Sequence, residues 1–136
     1  MTYQTPIATP GLAAFVREVD AERQRQLATW GDQHHPDGTG PDHAVFGVRF
    51  SELAEALKGH NDYVRDASRW RGMEVPGMDL IPSPPAPRTQ WAPVLLEEVA
   101  EALAESDAST LRAELIQVAA VCAAWVADID QRGSRS

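Results

Sequence analysis

The chain has 136 residues, 43% of them apolar, which is enough to bury a core and excludes a disordered chain. Its formal net charge of -8 argues against a nucleic-acid polymer or an anionic membrane as the main partner. A nucleotide is not excluded, because a bound metal can bring the positive charge that phosphate needs.

The single cysteine, Cys122, rules out an intrachain disulfide and suits a reducing cytoplasm, where it reads as a small buried hydrophobe. Met1 to Pro10 is polar and proline-containing, unlike a signal peptide. Residues 1–9 read as a loose arm of a single domain spanning 1–136.

Pro10 and Gly11 open a first helix. Its apolar residues Leu12, Phe15, Val16, Val19, Leu27 and Trp30 recur at helical spacing, and Gly31 ends it. Residues 31–42 form a loop, in which Pro36-Asp37-Gly38 is a turn: proline presets φ and glycine accepts positive φ. A second helix is predicted from near Asp42 to about Trp70. Phe46, Phe50, Leu53, Leu57, Val64 and Ala67 form its stripe, with Gly59 as a candidate kink.

Residues 72–88 hold Pro76, Pro82, Pro84, Pro85 and Pro87, a density that suits neither a helix nor a central strand, and read as a crossover. A third helix is predicted from Thr89 or Gln90 to about Glu105, with Pro93 tolerated in its first turn. Ser106-Asp107-Ala108-Ser109 is a tight connection rich in capping residues, and a fourth helix runs from about Thr110 to Asp130. Residues 132–136 read as a frayed tail. No alternating strand pattern competes. The expected fold is all-α, a bundle of four main helices.

The acidic residues of the third helix, Glu97, Glu98, Glu101 and Glu105, share the face opposite Leu95, Leu96, Val99, Ala102 and Leu103. Taken alone, that is a solvated face. The fourth helix changes the balance. From Leu115 to Ala127 it is apolar almost all round, a pattern expected of a buried helix, and the run is too short to span a bilayer, which takes about 20 residues. Glu114 and Gln117 lie on one side of it, continued by Val121 and Trp125. A carboxylate there needs a partner, a proton or a metal, and Arg112 points away from it.

A hairpin turning near Asp107 sets Glu101 level with Ala113 and Glu114, and Glu98 level with Ile116 and Gln117. Glu98, Glu101, Glu114 and Gln117 thus become candidate ligands of a hard, oxygen-loving cation, Mg²⁺ or Mn²⁺. A di-iron bundle would need Glu-x-x-His motifs, and none occurs.

Glu97-Glu98-Val-Ala-Glu101, then twelve residues, then Glu114-Leu-Ile-Gln117, resembles the motif of the MazG-like all-α NTP pyrophosphatases, Glu-Glu-x-x-Glu followed by Glu-x-x-Asp. Trp91-Ala-Pro-Val-Leu-Leu resembles the lead-in of actinobacterial and phage members, as does the stretch from Glu22 to Gly40. The likeness covers about residues 20–40 and 89–132; the middle matches only in helical character.

The resemblance implies a helical bundle completed by oligomerisation, as a homodimer or homotetramer. It also implies Mg²⁺-dependent cleavage of a nucleoside triphosphate to monophosphate and pyrophosphate. Carried over, Glu98, Glu101, Glu114 and Gln117 hold metal, and Glu97 or Glu101 holds the attacking water. Gln117 departs from the pattern, being neutral where the family has Asp. It favours the alternative of a non-catalytic helical interaction module that keeps the fold and binds metal or nucleotide weakly.

Trp30, with Gln33 and His34, is a candidate base pocket: an aromatic face for stacking, and polar groups for the base edge. Adjacent His34 and His35 are poor joint metal ligands. Gly38-Thr39-Gly40 is a weak phosphate loop, since it lacks the Lys-Ser/Thr of a P-loop. Lys58, Arg65, Arg69 and Arg71 are candidate phosphate partners. Trp70, Trp91 and Trp125 read as core or subunit-interface residues.

Overall fold

The computed structural model describes residues 6–69 and 88–133. The predicted crossover at 72–88, apart from Arg88, lies outside them, as do residues 1–5 of the predicted arm, Trp70, Arg71 and the last three residues of the tail. Among the described residues there are four helices and one two-stranded sheet: α1 (Leu12–Trp30), β1 (Ala44–Val45), β2 (Val48–Arg49), α2 (Phe50–Arg69), α3 (Trp91–Leu103) and α4 (Ala108–Arg132). The chain divides into two compact units, one of Met1–Asp37 with Ala119–Ser136, the other of Gly38–Val118.

In the first unit, α1 begins after Gly11, whose φ of 82° turns the chain into the helix, and stops at Gly31, whose N–H donates to the Leu27 carbonyl at 2.9 Å. Its polar face is tied along the helix. Arg25 pairs with Glu22, and Arg23 donates to Gln26 Oε1 at 2.6 Å. No residue of α1 is fully buried; Val16, Val19, Leu27 and Trp30 are exposed.

The second unit opens with a correction. The predicted α2 stripe includes Phe46, but the helix starts only at Phe50, behind a short antiparallel hairpin pairing Ala44 with Arg49 and Val45 with Val48. Phe46 and Gly47 form its two-residue turn, with φ of 52° and 77°. A residue at that φ cannot continue a right-handed helix, so the four-residue spacing of Phe46 and Phe50 is coincidental. Phe46 is fully exposed, whereas Phe50 is buried. The Phe50 N–H donates to the His43 carbonyl at 2.8 Å, joining hairpin to helix.

Gly40 is buried, and its N–H donates to the Leu103 carbonyl at 2.9 Å, which docks this loop on the C-terminal end of α3. That N–H is therefore spent on the fold and not offered to a phosphate. α2 continues through Gly59 to Arg69.

Among the described helices, α2 packs most extensively against α3. The core holds Phe50, Val64, Ala100, Ala102 and Leu111. Ala100 and Ala102 are 0% and 1% exposed, and they lie on different sides of α3, so the helix is covered from more than one direction. α3 begins at Trp91, where Pro93 falls among the first N–H groups that lack a helical partner anyway. It ends at Leu103, two residues short of the predicted limit.

α4 starts at Ala108, earlier than predicted, because Asp107 is its cap: Asp107 Oδ2 accepts from the Thr110 N–H at 2.9 Å and the Thr110 hydroxyl at 3.0 Å. The expectation that α4 is buried does not hold within the chain. Leu111 is its one buried residue, and Leu115 and Ile116 are 52% and 58% exposed. At 25 residues, α4 is also longer than the apolar run suggested. By length and composition alone it could cross a bilayer, a test that core helices of soluble proteins also pass.

Enlarging the covered alanine face should disturb the second unit. Ala100→Leu is expected to lower the unfolding free energy by about 1–3 kcal/mol, the usual cost of overpacking. Urea titration followed by circular dichroism measures it. A loss near zero would mean that α3 is not packed as closely as described.

Candidate metal centre

α3 presents Glu98 and Glu101 one turn apart, and α4 brings Glu114 to them. One carboxylate oxygen from each lies within 4.8 Å of the other two. This is the convergence expected from the hairpin register. The surroundings explain its charge state. All three residues are half-buried. Glu98 Oε2 and Glu114 Oε2 are buried and have no hydrogen-bond partner. Burial raises the Glu98 pKa above its ordinary value, and the charges of Glu114 and Glu97 add to the shift. Burial likewise raises Glu101, reinforced by Glu98, Glu97 and Glu114 and opposed by Lys58.

The donor set fits a hard divalent cation. Its oxygens are all carboxylate, it carries an excess of negative charge, and two of its buried lone-pair sites are unsatisfied. The oxygens also span about the 4–5 Å that one cation's oxygen shell occupies.

Glu97 stands beside the cluster in a different role. Its Oε2 accepts from Asn61 Nδ2 at 2.9 Å, and the same amide donates to the Pro93 carbonyl at 3.0 Å. Asn61 is buried on α2, so one helix fixes the orientation of a carboxylate on the other. The sequence reading missed Asn61. The signal was available: Leu57, Asn61 and Val64 follow helical spacing, so Asn61 is a polar residue in an apolar stripe, where burial demands a partner.

Gln117 is exposed, unlike the half-buried Glu114 one turn before it. Of the candidate phosphate partners on α2, Arg65 pairs with Asp62 at 3.4 Å, while Lys58 is exposed and makes no ion pair among the described residues. Arg71 and the Arg69 side chain lie outside what is described.

The predicted base pocket belongs to the first unit. Trp30 and Gln33 line a cavity of about 470 Å³ with Arg23, Arg25, Gln26 and His35. His34 is instead paired with Asp32, Nε2 to Oδ2 at 2.9 Å, and His35 takes the place at the cavity wall expected of it. Comparison of the chain with protein-family models, curated proteins and solved structures finds no match in any of the three.

The raised pKa values carry a sign. A native state that holds protons more tightly than the unfolded chain loses stability as pH rises from the ordinary Glu value of 4.5 through the raised values. In EDTA at pH 7.5, Glu101→Gln is therefore expected to melt a few degrees above wild type, with the gap closing as pH falls to about 4.5. Differential scanning calorimetry reads both. A variant no more stable than wild type at pH 7.5 would mean that neither burial nor its acidic neighbours penalise the Glu101 carboxylate.

Proposed function

We propose that the chain is a Mg²⁺-dependent nucleoside triphosphate pyrophosphohydrolase of the MazG-like type. The observation that carries this is the trio Glu98, Glu101 and Glu114, converging with two buried, unpartnered oxygens. Mn²⁺ fits the same donors.

Glu98, Glu101 and Glu114 would hold the cation, with Gln117 as a neutral fourth donor. Bound there, the cation supplies neutralisation of phosphate charge. Glu97 has one oxygen engaged by Asn61, and its other oxygen is the acceptor we assign to the proton of the attacking water; Glu101 is the second candidate for that role. The water oxygen bonds to the α-phosphorus, the bond from that phosphorus to the bridging oxygen breaks, and pyrophosphate leaves with the electron pair. Trp30 and Gln33 remain candidates for holding the base, with His35 at the cavity wall in the place expected of His34.

The exposed apolar residues of α4, Leu115, Ile116 and Ile129, support completion of the bundle by a second copy, as a homodimer or homotetramer. A reducing cytoplasm fits the lone free thiol of Cys122.

The test is pyrophosphate release across the common NTPs and dNTPs with Mg²⁺ or Mn²⁺. Glu98→Gln or Glu114→Gln is expected to lower kcat/KM by about 100-fold or more, the scale lost when a charge-stabilising group is removed from a reacting centre. No release from any of these nucleotides would end the enzymatic reading.

A neutral, exposed Gln117 favours a second reading, a non-catalytic module that binds metal or nucleotide weakly. Under that reading, Mg²⁺ raises the melting temperature without turnover. Gln117→Asp then tightens Mg²⁺ binding measured by calorimetric titration, and an unchanged affinity would place residue 117 outside the site.

A further inference from the structure

The acidic cluster has a charge problem that a single cation does not solve. Glu97, Glu98, Glu101 and Glu114 outnumber the charge of one divalent ion, and the whole chain carries a formal charge of -8. A polyphosphate approaching such a site needs a further positive group. α2 supplies one.

The Asn61 amide donates to Pro93 and Glu97, while at the start of α2 the Ser51 N–H donates to the Pro41 carbonyl, and the adjacent Gly40 N–H donates to the Leu103 carbonyl at the end of α3. Lys58 lies one turn before Asn61 on α2, and Glu101 one turn after Glu97 on α3. The two helices therefore run antiparallel here, and the register sets Lys58 level with Glu101. Yet no carboxylate among the described residues lies within ion-pair distance of Lys58. Arg65, on the same helix, is engaged by Asp62, and Arg49, just before the helix, by Glu52. Lys58 thus offers an exposed ammonium at the rim of the cluster with its donors unspent, and a flexible ammonium is a point charge suited to phosphate oxygens.

We propose that Lys58 binds the phosphate oxygens of a polyphosphate anion held at the acidic cluster. The inference rests on the reading of Glu98, Glu101 and Glu114 as a cation site, and makes Lys58 a substrate-binding residue beside it.

The experiment is a set of melting curves on the full chain in EDTA, in Mg²⁺ alone, and in Mg²⁺ with inorganic tripolyphosphate. Wild type should gain stability in Mg²⁺ and gain again with tripolyphosphate. Lys58→Gln should keep the first gain and lose most of the second, with its apparent Kd for tripolyphosphate raised about tenfold or more, a change of about 1.4 kcal/mol. Lys58→Arg, which preserves the charge, should recover much of the loss.

Lys58→Gln retaining the full tripolyphosphate gain overturns the proposal. So does a Lys58→Gln variant that loses the Mg²⁺ gain as well, because Lys58 would then support the cluster and not the phosphate. Wild type that gains nothing from Mg²⁺ overturns the cation site beneath the proposal. A Mg²⁺ gain with no tripolyphosphate increment overturns the role of Lys58 alone.

Discussion

Asn61 spends both hydrogens of its side-chain amide on α3, one on the Pro93 carbonyl and one on Glu97. A buried amide left unpaired costs about 1–3 kcal/mol, so this contact constrains how α2 and α3 can be placed along one another. Ala100 and Ala102 allow the helix to be covered closely, because a methyl group leaves room where a larger side chain would hold neighbours off. With that register set, Glu97 is turned by its partner, and Lys58 comes level with Glu101. The chemistry of the second unit therefore depends on a polar contact that no acidic motif announces.

The same closeness gives the carboxylates their character. On a solvated helix face, Glu98 and Glu101 would be ordinary acids separated by water. Half-buried, with Glu114 brought to within 4.8 Å, they share a volume where desolvation outweighs every other influence on Glu98 and Glu101. Folding thus holds three like charges together at a cost, which the proposed divalent cation would offset. Asp107 shows the opposite case on the same hairpin. It is exposed and accepts hydrogen bonds from Thr110, which hold its pKa below the ordinary Asp value and make it a structural cap.

Helix existence was largely legible in the sequence. Gly11 and Gly31 bracket α1, Pro93 sits where α3 tolerates it, and Asp107 stands at the start of α4, all from backbone rules that act over one turn. The Phe46–Gly47 turn was missed because hydrophobic spacing was followed past a glycine with positive φ. Ala100 was missed as a core residue because alanine has too little apolar surface to mark a stripe, although it is fully covered.

For the site, the sequence by itself determined which oxygens are available and that the turn near Asp107 could align Glu101 with Glu114. Those are consequences of spacing along two helices joined by a short connection. The tertiary structure decided which of these groups are buried together. It left Gln117 exposed while orphaning oxygens of Glu98 and Glu114, it added Asn61 from a helix more than thirty residues earlier, and it singled out Lys58 among the basic residues that the sequence offered. Burial and long-range pairing depend on how helices pack, and local periodicity records only which face each residue occupies.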